Sequence, residues 1–174
     1  YDSANIMLRE AESTLRVRYL RGYEQHTDAE VAQAIAFDLA SVPHLAQIAS
    51  SRRSLLIADT ATHPSWRQIP GTEHIRCWLG VPLIANNELV GIYSIDRCEP
   101  YTLAEDDARL AETLAATTAT AIARVWLFAE LQDERAQLAR RVAERTADLS
   151  VAIRELERAV RLKDEFLANM SHEL

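Results

Sequence analysis

His172 and Glu173 are the adjacent residues of this chain whose side chains could most readily do chemistry. Neutral imidazole keeps a free nitrogen lone pair near pH 7, so His172 can act as a nucleophile. Glu173 places a carboxylate beside it in the chain. The alternative interpretation is a solvated His–Glu pair on a helix surface with no chemical role.

The pair ends a run from Tyr101 to Leu174 that contains no Gly and no Pro. This run is rich in Leu, Ala, Glu and Arg, which favour helix. A single helix of this length would reach about 110 Å, at ~1.5 Å per residue. A small globular domain is not that long, so most of the helix is expected to lie against a partner helix.

Apolar residues after Val142 recur at spacings of three, four or seven, which is typical of the a/d seam of a coiled coil. The pattern predicts a parallel homodimer. Thr146 and Lys163 interrupt the seam, and His172 falls at position f, which faces furthest from the partner helix. The seam comprises Val142, Leu149, Ile153, Leu156, Val160, Leu167 and Met170.

Leu131 and Leu138 continue an apolar stripe that runs through Leu127 and Phe128. In the heptad phase of the later seam, Leu138 falls at position g. The two stripes are therefore out of register, and such a stutter locally unwinds a coiled coil. Gln132, Arg135 and Ala139 make a poor core around it. We interpret the segment as a rotational switch, with a passive spacer as the alternative.

The last nine residues, Phe-Leu-Ala-Asn-Met-Ser-His-Glu-Leu (166–174), resemble the H-box of sensor histidine kinases. In that family the first helix of the dimerisation domain presents the phosphoacceptor histidine. The resemblance implies that His172 is the phosphoacceptor and that Glu173 is its general base. It also implies a longer parent kinase that uses ATP and Mg²⁺ and passes phosphate to the receiver domain of a response regulator. This fragment shows no ATP-binding motif, so we expect it to be inactive alone and to hold no cofactor of its own.

Composition limits the other function classes. The formal charge of −7 gives no basic surface for nucleic acid. We expect no membrane segment in this fragment, a cytoplasmic location, and two reduced cysteines, Cys77 and Cys98. A membrane anchor elsewhere in the parent protein stays an open alternative. His63, His74 and Cys77 are a weak metal-ligand pattern, so no metal site is predicted.

The part of the chain before the long helix predicts an α+β domain with a mostly antiparallel sheet flanked by helices. Strands are expected over 1–9 with one apolar face, from Leu15 to about Gly22, and over 54–58, 75–84 and 88–96. Asn86-Asn87 suits a type I′ hairpin turn, and Pro82 suggests a sheet edge or a bulge. A helix capped at Thr27-Asp28 is expected to end at Pro43, with a short helical piece over 44–50.

Four segments of this region resemble a GAF domain whose N-terminal helix is missing: 55–60, 63–66, 75–83 and 89–96. GAF domains bind varied small ligands, and many have none known. The cyclic-nucleotide and bilin signatures are not matched here, so the GAF ligand is unknown. A pocket between the sheet and its crossing loops is predicted to use Tyr19, Phe37, Trp66, Cys77, Leu79 and Ser94, with ordinary core packing as the alternative.

The predicted organisation is a GAF sensor domain over 1–128, a coiled-coil signalling helix over 129–162, and the start of the dimerisation and phosphoacceptor helix over 163–174. The predicted function is the sensory part of a two-component histidine kinase. The rival is a non-catalytic GAF ligand-binding and dimerisation module with another output.

Overall fold

The computed structural model describes residues 1–23, 35–69 and 71–172, with side chains as far as residue 165. Its centre is a six-stranded sheet in the order β3-β2-β1-β6-β5-β4, in which every neighbouring pair is antiparallel. The predicted α+β class is confirmed. The elements are β1 (Ser3–Ala11), β2 (Thr14–Arg21), β3 (Ala36–Asp38), α1 (Pro43–Ser51), β4 (Leu55–Ile57), β5 (Cys77–Ala85), β6 (Glu88–Arg97) and α2 (Glu105–His172).

The β5–β6 hairpin turns at Asn86 and Asn87, whose φ angles are 50° and 63°. Asparagine tolerates this left-handed backbone, so the predicted turn residues are confirmed. Pro82 lies in β5 beyond the three residues that pair with β4. Its missing N–H therefore interrupts no hydrogen bond to that strand, and the ladder shifts register next to it, between Leu83 and Ile84.

The sheet buries side chains on both faces. On one face, Met7 packs in a core with residues of α1. On the other, Ile6 and Leu8 pack against a core that includes Ala111, Ala115 and Ala119 of α2, which recur every four residues. The prediction of one apolar face for the first strand is therefore wrong, because β1 is central and covered on both sides.

The predicted helix ending at Pro43 is wrong where the structure describes it. Residues Ala36–Asp38 form β3 and pair with β2, and Leu39–Ser41 form a 3₁₀ turn capped by the Asp38 side chain. Pro43 starts α1 rather than ending a helix, since proline has no N–H to leave unpaired in a first turn. The proposed cap at Thr27-Asp28 lies outside the described residues.

The long helix α2 begins with Glu105, Asp106 and Asp107 in its first turn. Asp107 accepts a hydrogen bond from the Ala104 backbone N–H (2.8 Å), and the three carboxylates favour the positive end of the helix dipole. The described part of α2 contains an 18-residue stretch with a mean hydropathy of 1.3. By length and composition alone, this stretch is apolar enough to cross a membrane. One such helix does not by itself establish a membrane span.

The chain divides into two compact units, Tyr1–Val125 and Trp126–Leu174. In the second unit, Leu149, Ile153, Leu156 and Val160 are 49–67% exposed in the single chain. The predicted domain boundaries at 128 and 162 stay predictions.

Candidate functional site

A cavity lies on the α1 face of the sheet, in the first unit; we call it the sheet-face cavity. Its volume is ≈ 60 Å³. The cavity opens to solvent at its mouth. Apolar side chains from the strands and α1 form much of its wall, among them Met7, Val17, Leu20, Phe37, Leu45 and Ile75.

Three aromatic rings form one side of the sheet-face cavity. His44 stacks on Trp66 with centroids 4.6 Å apart and planes 20° from parallel, and it meets Trp78 edge-on at 5.1 Å. The Trp78 ring lies over Gly80, where any Cβ would come within 2.1 Å of it. The absence of a side chain at Gly80 therefore makes room for this aromatic side.

His44 is neutral at pH 7. Burial lowers its pKa to about 4. Its Nδ1 lies 3.2 Å from the Ser65 carbonyl oxygen, which can only accept, so Nδ1 carries the proton and donates. A neutral imidazole of this kind contributes a flat, uncharged surface to the cavity.

The lining of the sheet-face cavity also includes the polar residues Asn5, Tyr23 and Ser94, which are linked to Asp96. Asp96 is fully buried. Ser3 Oγ and Ser94 Oγ donate to its carboxylate oxygens at 2.9 and 2.8 Å, and the Tyr23 hydroxyl donates to the same group. Asn5 Nδ2 in turn donates to the Tyr23 hydroxyl (3.0 Å) and to Ser94 Oγ (2.9 Å).

Both acidic members of this network have shifted pKa values. Burial raises the pKa of Asp96 from its ordinary 3.8 to about 6, although the hydroxyl donors oppose the shift. Burial and the nearby Asp96 charge raise the pKa of the Tyr23 phenol well above its usual range. At pH 7 the network therefore holds an ionised Asp96 and a protonated Tyr23.

Two polar atoms of residues lining the sheet-face cavity are buried without a hydrogen-bond partner in the described structure. They are Asn5 Oδ1, an acceptor, and Trp66 Nε1, a donor. Buried polar groups in native proteins are normally paired, so these two atoms depart from the usual pattern.

The sequence model of the GAF domain matches residues 3–123, which is more than half of the chain. The chain belongs to the GAF domain family. Over 101 residues it is 38% identical to the circadian input-output histidine kinase CikA of Thermosynechococcus vestitus, covering 58% of this chain and 14% of that kinase. The CikA of Synechococcus elongatus is 31% identical over 101 residues, covering 58% and 13%.

The chain thus spans 13–14% of the length of these curated relatives. Among solved structures it resembles the GAF domain of an Acinetobacter phosphoenolpyruvate-protein phosphotransferase, with a TM-score of 0.62 and 15% identity over 74% of this chain and 75% of that one. At this identity the likeness shows the fold alone. Relationship to a region of histidine kinases supports a signalling role for this GAF domain.

Three of the predicted GAF pocket residues, Phe37, Trp66 and Ser94, line the sheet-face cavity. Cys77 and Leu79 do not: both are fully buried in the core on the opposite face, and Trp78 between them faces the cavity. The prediction placed these two residues on the wrong face of β5, because side chains alternate along a strand. Whether the lining residues bind a ligand stays a prediction.

Tyr19 is also absent from the sheet-face cavity and is 63% exposed. Across β1, Ile6 pairs with Tyr19 but Met7 pairs with Val17, so Arg18 is an extra residue in β2. This bulge reverses the alternation, and Leu20 lines the cavity instead.

Sequence reasoning missed Asn5, Tyr23, His44 and Trp78 as cavity residues. A signal for the polar lining was present in two central strands, where Ser3 and Asn5 of β1 pair with Asp96 and Ser94 of β6. Polar residues at alternating positions of two adjacent, otherwise apolar strands indicate one buried polar cluster.

The other predicted sites fall elsewhere. Within residues 1–23, 35–69 and 71–172, no group of three or more His, Cys, Asp or Glu side chains could hold a metal ion. The backbone of α2 ends at His172, whose side chain lies beyond those described, and Glu173 lies outside the described residues.

Asp96 gives the GAF domain a testable pH dependence. Because the pKa of Asp96 is raised in the folded state, the folded protein keeps its proton between pH 4 and 6, whereas the unfolded chain has lost it. The free energy of unfolding should therefore fall as pH rises through this window, by ~3 kcal/mol for a shift of this size. We expect Asp96→Asn to lack this fall, measured by urea unfolding at pH 4, 5, 6 and 7.

Asp59→Asn is the matched control. A hydrogen bond from Arg76 holds the pKa of Asp59 below its usual range, so removing this carboxylate should change the pH profile in the opposite direction. Parallel profiles for wild type and Asp96→Asn would contradict the assignment of a raised pKa.

Proposed function

We propose that this chain is the sensory part of a cytoplasmic two-component histidine kinase. The GAF domain binds a small ligand, and a dimeric helix passes the resulting change to His172. In the longer protein, an ATP-binding domain with Mg²⁺ phosphorylates His172. The phosphoryl group then passes to an aspartate on the receiver domain of a response regulator.

The observation that carries this proposal is the single helix α2. Its Ala111, Ala115 and Ala119 lie in the core of the GAF domain, and the same helix continues to His172. The described part of this helix includes residues 166–172 of the nine-residue H-box pattern. Relationship of the GAF domain to a region of CikA histidine kinases supports the same assignment.

The chemistry proposed for His172 is nucleophilic phosphoryl transfer. A ring nitrogen attacks the γ-phosphorus of ATP, the bond from that phosphorus to the bridging oxygen breaks, and ADP leaves. Glu173 orients the ring and takes the proton from its other nitrogen. Phosphorylation by labelled ATP and a cognate ATP-binding domain supplied in trans tests this assignment.

The exposed a/d seam of α2 supports a homodimer as the oligomeric state. Leu149, Ile153, Leu156 and Val160 present one apolar stripe to solvent in the single chain. A stripe at a/d spacing is covered when a second copy packs against it, which removes the exposed apolar area from water. The proposed dimer is parallel, so equivalent residues of the two helices meet.

A cysteine placed at Leu156 is expected to form a disulfide with its own copy under mild oxidation, because equivalent d positions face each other in a parallel pair. Cys98 is exposed and should first be replaced by Ser, whereas Cys77 is buried and can stay. Crosslinked dimer on a non-reducing gel is the measurement.

Arg158→Cys is the matched control, since position 158 falls at f and faces away from the partner. It should give little crosslinked dimer at equal protein concentration. Equal crosslinking at both positions, or a monomeric mass at micromolar concentration, would refute the parallel dimer.

A further inference from the structure

The part of α2 that packs on the GAF sheet has an unusual composition for a helix with one face in the core. Its residues 113–123 include no charged side chain, although only the face that carries Ala111, Ala115 and Ala119 is fully buried. A surface helix normally presents charged and polar residues on the side away from the core, as α2 does over residues 130–165. The composition therefore indicates that a second face of this segment is covered in the assembled protein.

The exposed apolar residues of this segment form one stripe along α2, which we call the outer stripe. It consists of Leu110, Leu114, Thr117, Ala121 and Val125. Their spacing of three or four residues places them on one side of the helix. Leu110, Leu114 and Val125 are 64%, 54% and 66% exposed in the single chain. A contiguous exposed apolar stripe is typical of a surface that contacts another molecule.

The threonines on and beside the outer stripe use their hydroxyl protons inside the helix. Thr113, Thr117 and Thr118 each donate to the backbone carbonyl oxygen four residues earlier, at 3.0, 3.1 and 2.8 Å. Covering these side chains therefore leaves no hydroxyl proton without a partner, so their burial costs little free energy. The small side chains at Thr117 and Ala121 also let a second helix approach closely, because interaxial distance depends on the residues at the contact.

A lipid bilayer is a poor occupant for the outer stripe. Ala111, Ala115 and Ala119 of the same helix pack against the sheet, so α2 would have to leave the core of the GAF domain to cross a membrane. That step would expose the other apolar residues of this core to water. A helix that lies on a membrane surface carries Lys or Arg on its polar face, and residues 113–123 contain neither.

A second copy of this chain fits the outer stripe better. The stripe continues in the sequence, since Phe128 follows Val125 after three residues and Leu131 follows after three more. It thereby joins the apolar stripe of Leu131 and Leu138 that precedes the proposed coiled-coil seam. In a parallel pair related by a twofold axis, each residue near the axis meets its own counterpart, so a charged residue there would face a like charge. The uncharged outer stripe meets this requirement.

We propose that the outer stripe is the surface through which two GAF domains dock on each other. The α2 helices of two copies pair in parallel along residues 110–125, so the two sensor domains form one dimeric unit. This inference goes beyond the proposed coiled-coil dimer, which pairs residues 142–170, and it rests on the parallel orientation of that dimer.

Cysteine crosslinking of the whole chain, in a Cys98→Ser background, tests this docking. Ala121→Cys places a thiol on the outer stripe. Ala116→Cys is the matched control, because both alanines are exposed and lie about 140° apart around the helix. Under mild oxidation, we expect about five times as much crosslinked dimer from Ala121→Cys as from Ala116→Cys, since a disulfide requires Cβ atoms within ~4.5 Å of each other.

The dimer dissociation constant, obtained by sedimentation equilibrium, gives a second measurement. Leu114→Glu places two carboxylates opposite each other in the docked pair, so the dissociation constant should rise about tenfold. Ala116→Glu adds the same charge away from the outer stripe and should change the constant by less than about twofold. Equal effects of the two substitutions would contradict the docking.

The crosslinking outcomes separate this docking from the proposed coiled-coil dimer. Crosslinking at Leu156→Cys but not at Ala121→Cys would overturn the docking and leave the coiled-coil dimer intact, whereas no crosslinking at either position would refute both. Equal crosslinking at Ala121→Cys and Ala116→Cys would also overturn the docking, because random collision gives that result. Binding to phosphatidylcholine–phosphatidylglycerol vesicles that Leu114→Glu abolishes would assign the outer stripe to a membrane instead.

Discussion

Replacing His172 by Gln is expected to abolish phosphoryl transfer to this chain. Glutamine keeps a polar side chain of similar length but has no nucleophilic ring nitrogen, so labelling should fall at least 1000-fold, on the order of the loss when a covalent nucleophile is removed. The assay supplies the chain, extended through its dimerisation domain, with a cognate ATP-binding domain in trans and labelled ATP. The wild-type label should be stable to base and labile to acid.

Glu173→Ala provides a graded control in the same assay. Loss of a general base should slow labelling by about 10²–10⁴-fold while the dimer stays intact, because the nucleophile itself remains. Undiminished labelling of His172→Gln would refute the phosphoacceptor assignment, and an unchanged rate for Glu173→Ala would remove its role as base.

Inserting one residue between Leu138 and Val142 is expected to lock phosphorylation of His172 on or off. One extra residue rotates everything downstream by about 100°, whereas seven residues restore the heptad phase. The segment is a candidate switch because Gln132, Arg135 and Ala139 occupy core positions of the later seam, and a poorly packed segment can hold two settings of similar energy. We expect a change of tenfold or more in labelling rate for the one-residue insertion.

The seven-residue insertion is the matched control and should label at a rate within about twofold of wild type. Seven residues lengthen the helix more than one residue does, so a larger effect of the one-residue insertion reports rotation rather than distance. Equal rates and equal responses to signal in all three proteins would identify the segment as a passive spacer.

Local sequence signals predicted the parts of the fold that depend on neighbouring residues. Asn86-Asn87 indicated its turn because both residues tolerate positive φ. The helical run predicted after Tyr101 is observed from Glu105. The order of predicted elements indicated the α+β class, and the GAF resemblance added the family, since the arrangement of six strands depends on long-range pairing that no short pattern specifies.

The cavity was harder to predict because its lining depends on strand register. Because Arg18 is an extra residue in β2, Leu20 lines the cavity and Tyr19 does not. Side chains alternate along β5, so Trp78 lines the cavity and its neighbours Cys77 and Leu79 do not. The short strand β3 was mistaken for helix, since its pairing with β2 outweighs the local helical spacing.

The rival interpretation, a GAF dimerisation module without a phosphoacceptor, predicts the same sheet-face cavity and the same dimer. It differs in its interpretation of residues 168–174, which would then match the H-box by accident. Ligand binding and crosslinking therefore do not separate the two, whereas chemistry at His172 does.

The most direct test of the central claim is to locate the phosphoryl group on the wild-type chain. Fragmentation mass spectrometry of the peptide that contains residues 166–174, prepared at neutral to basic pH to preserve phosphohistidine, gives the position. The account predicts one phosphoryl group on His172. A phosphoryl group on Ser171 instead, or a peptide left unmodified after full incubation with ATP and the cognate domain, would contradict it.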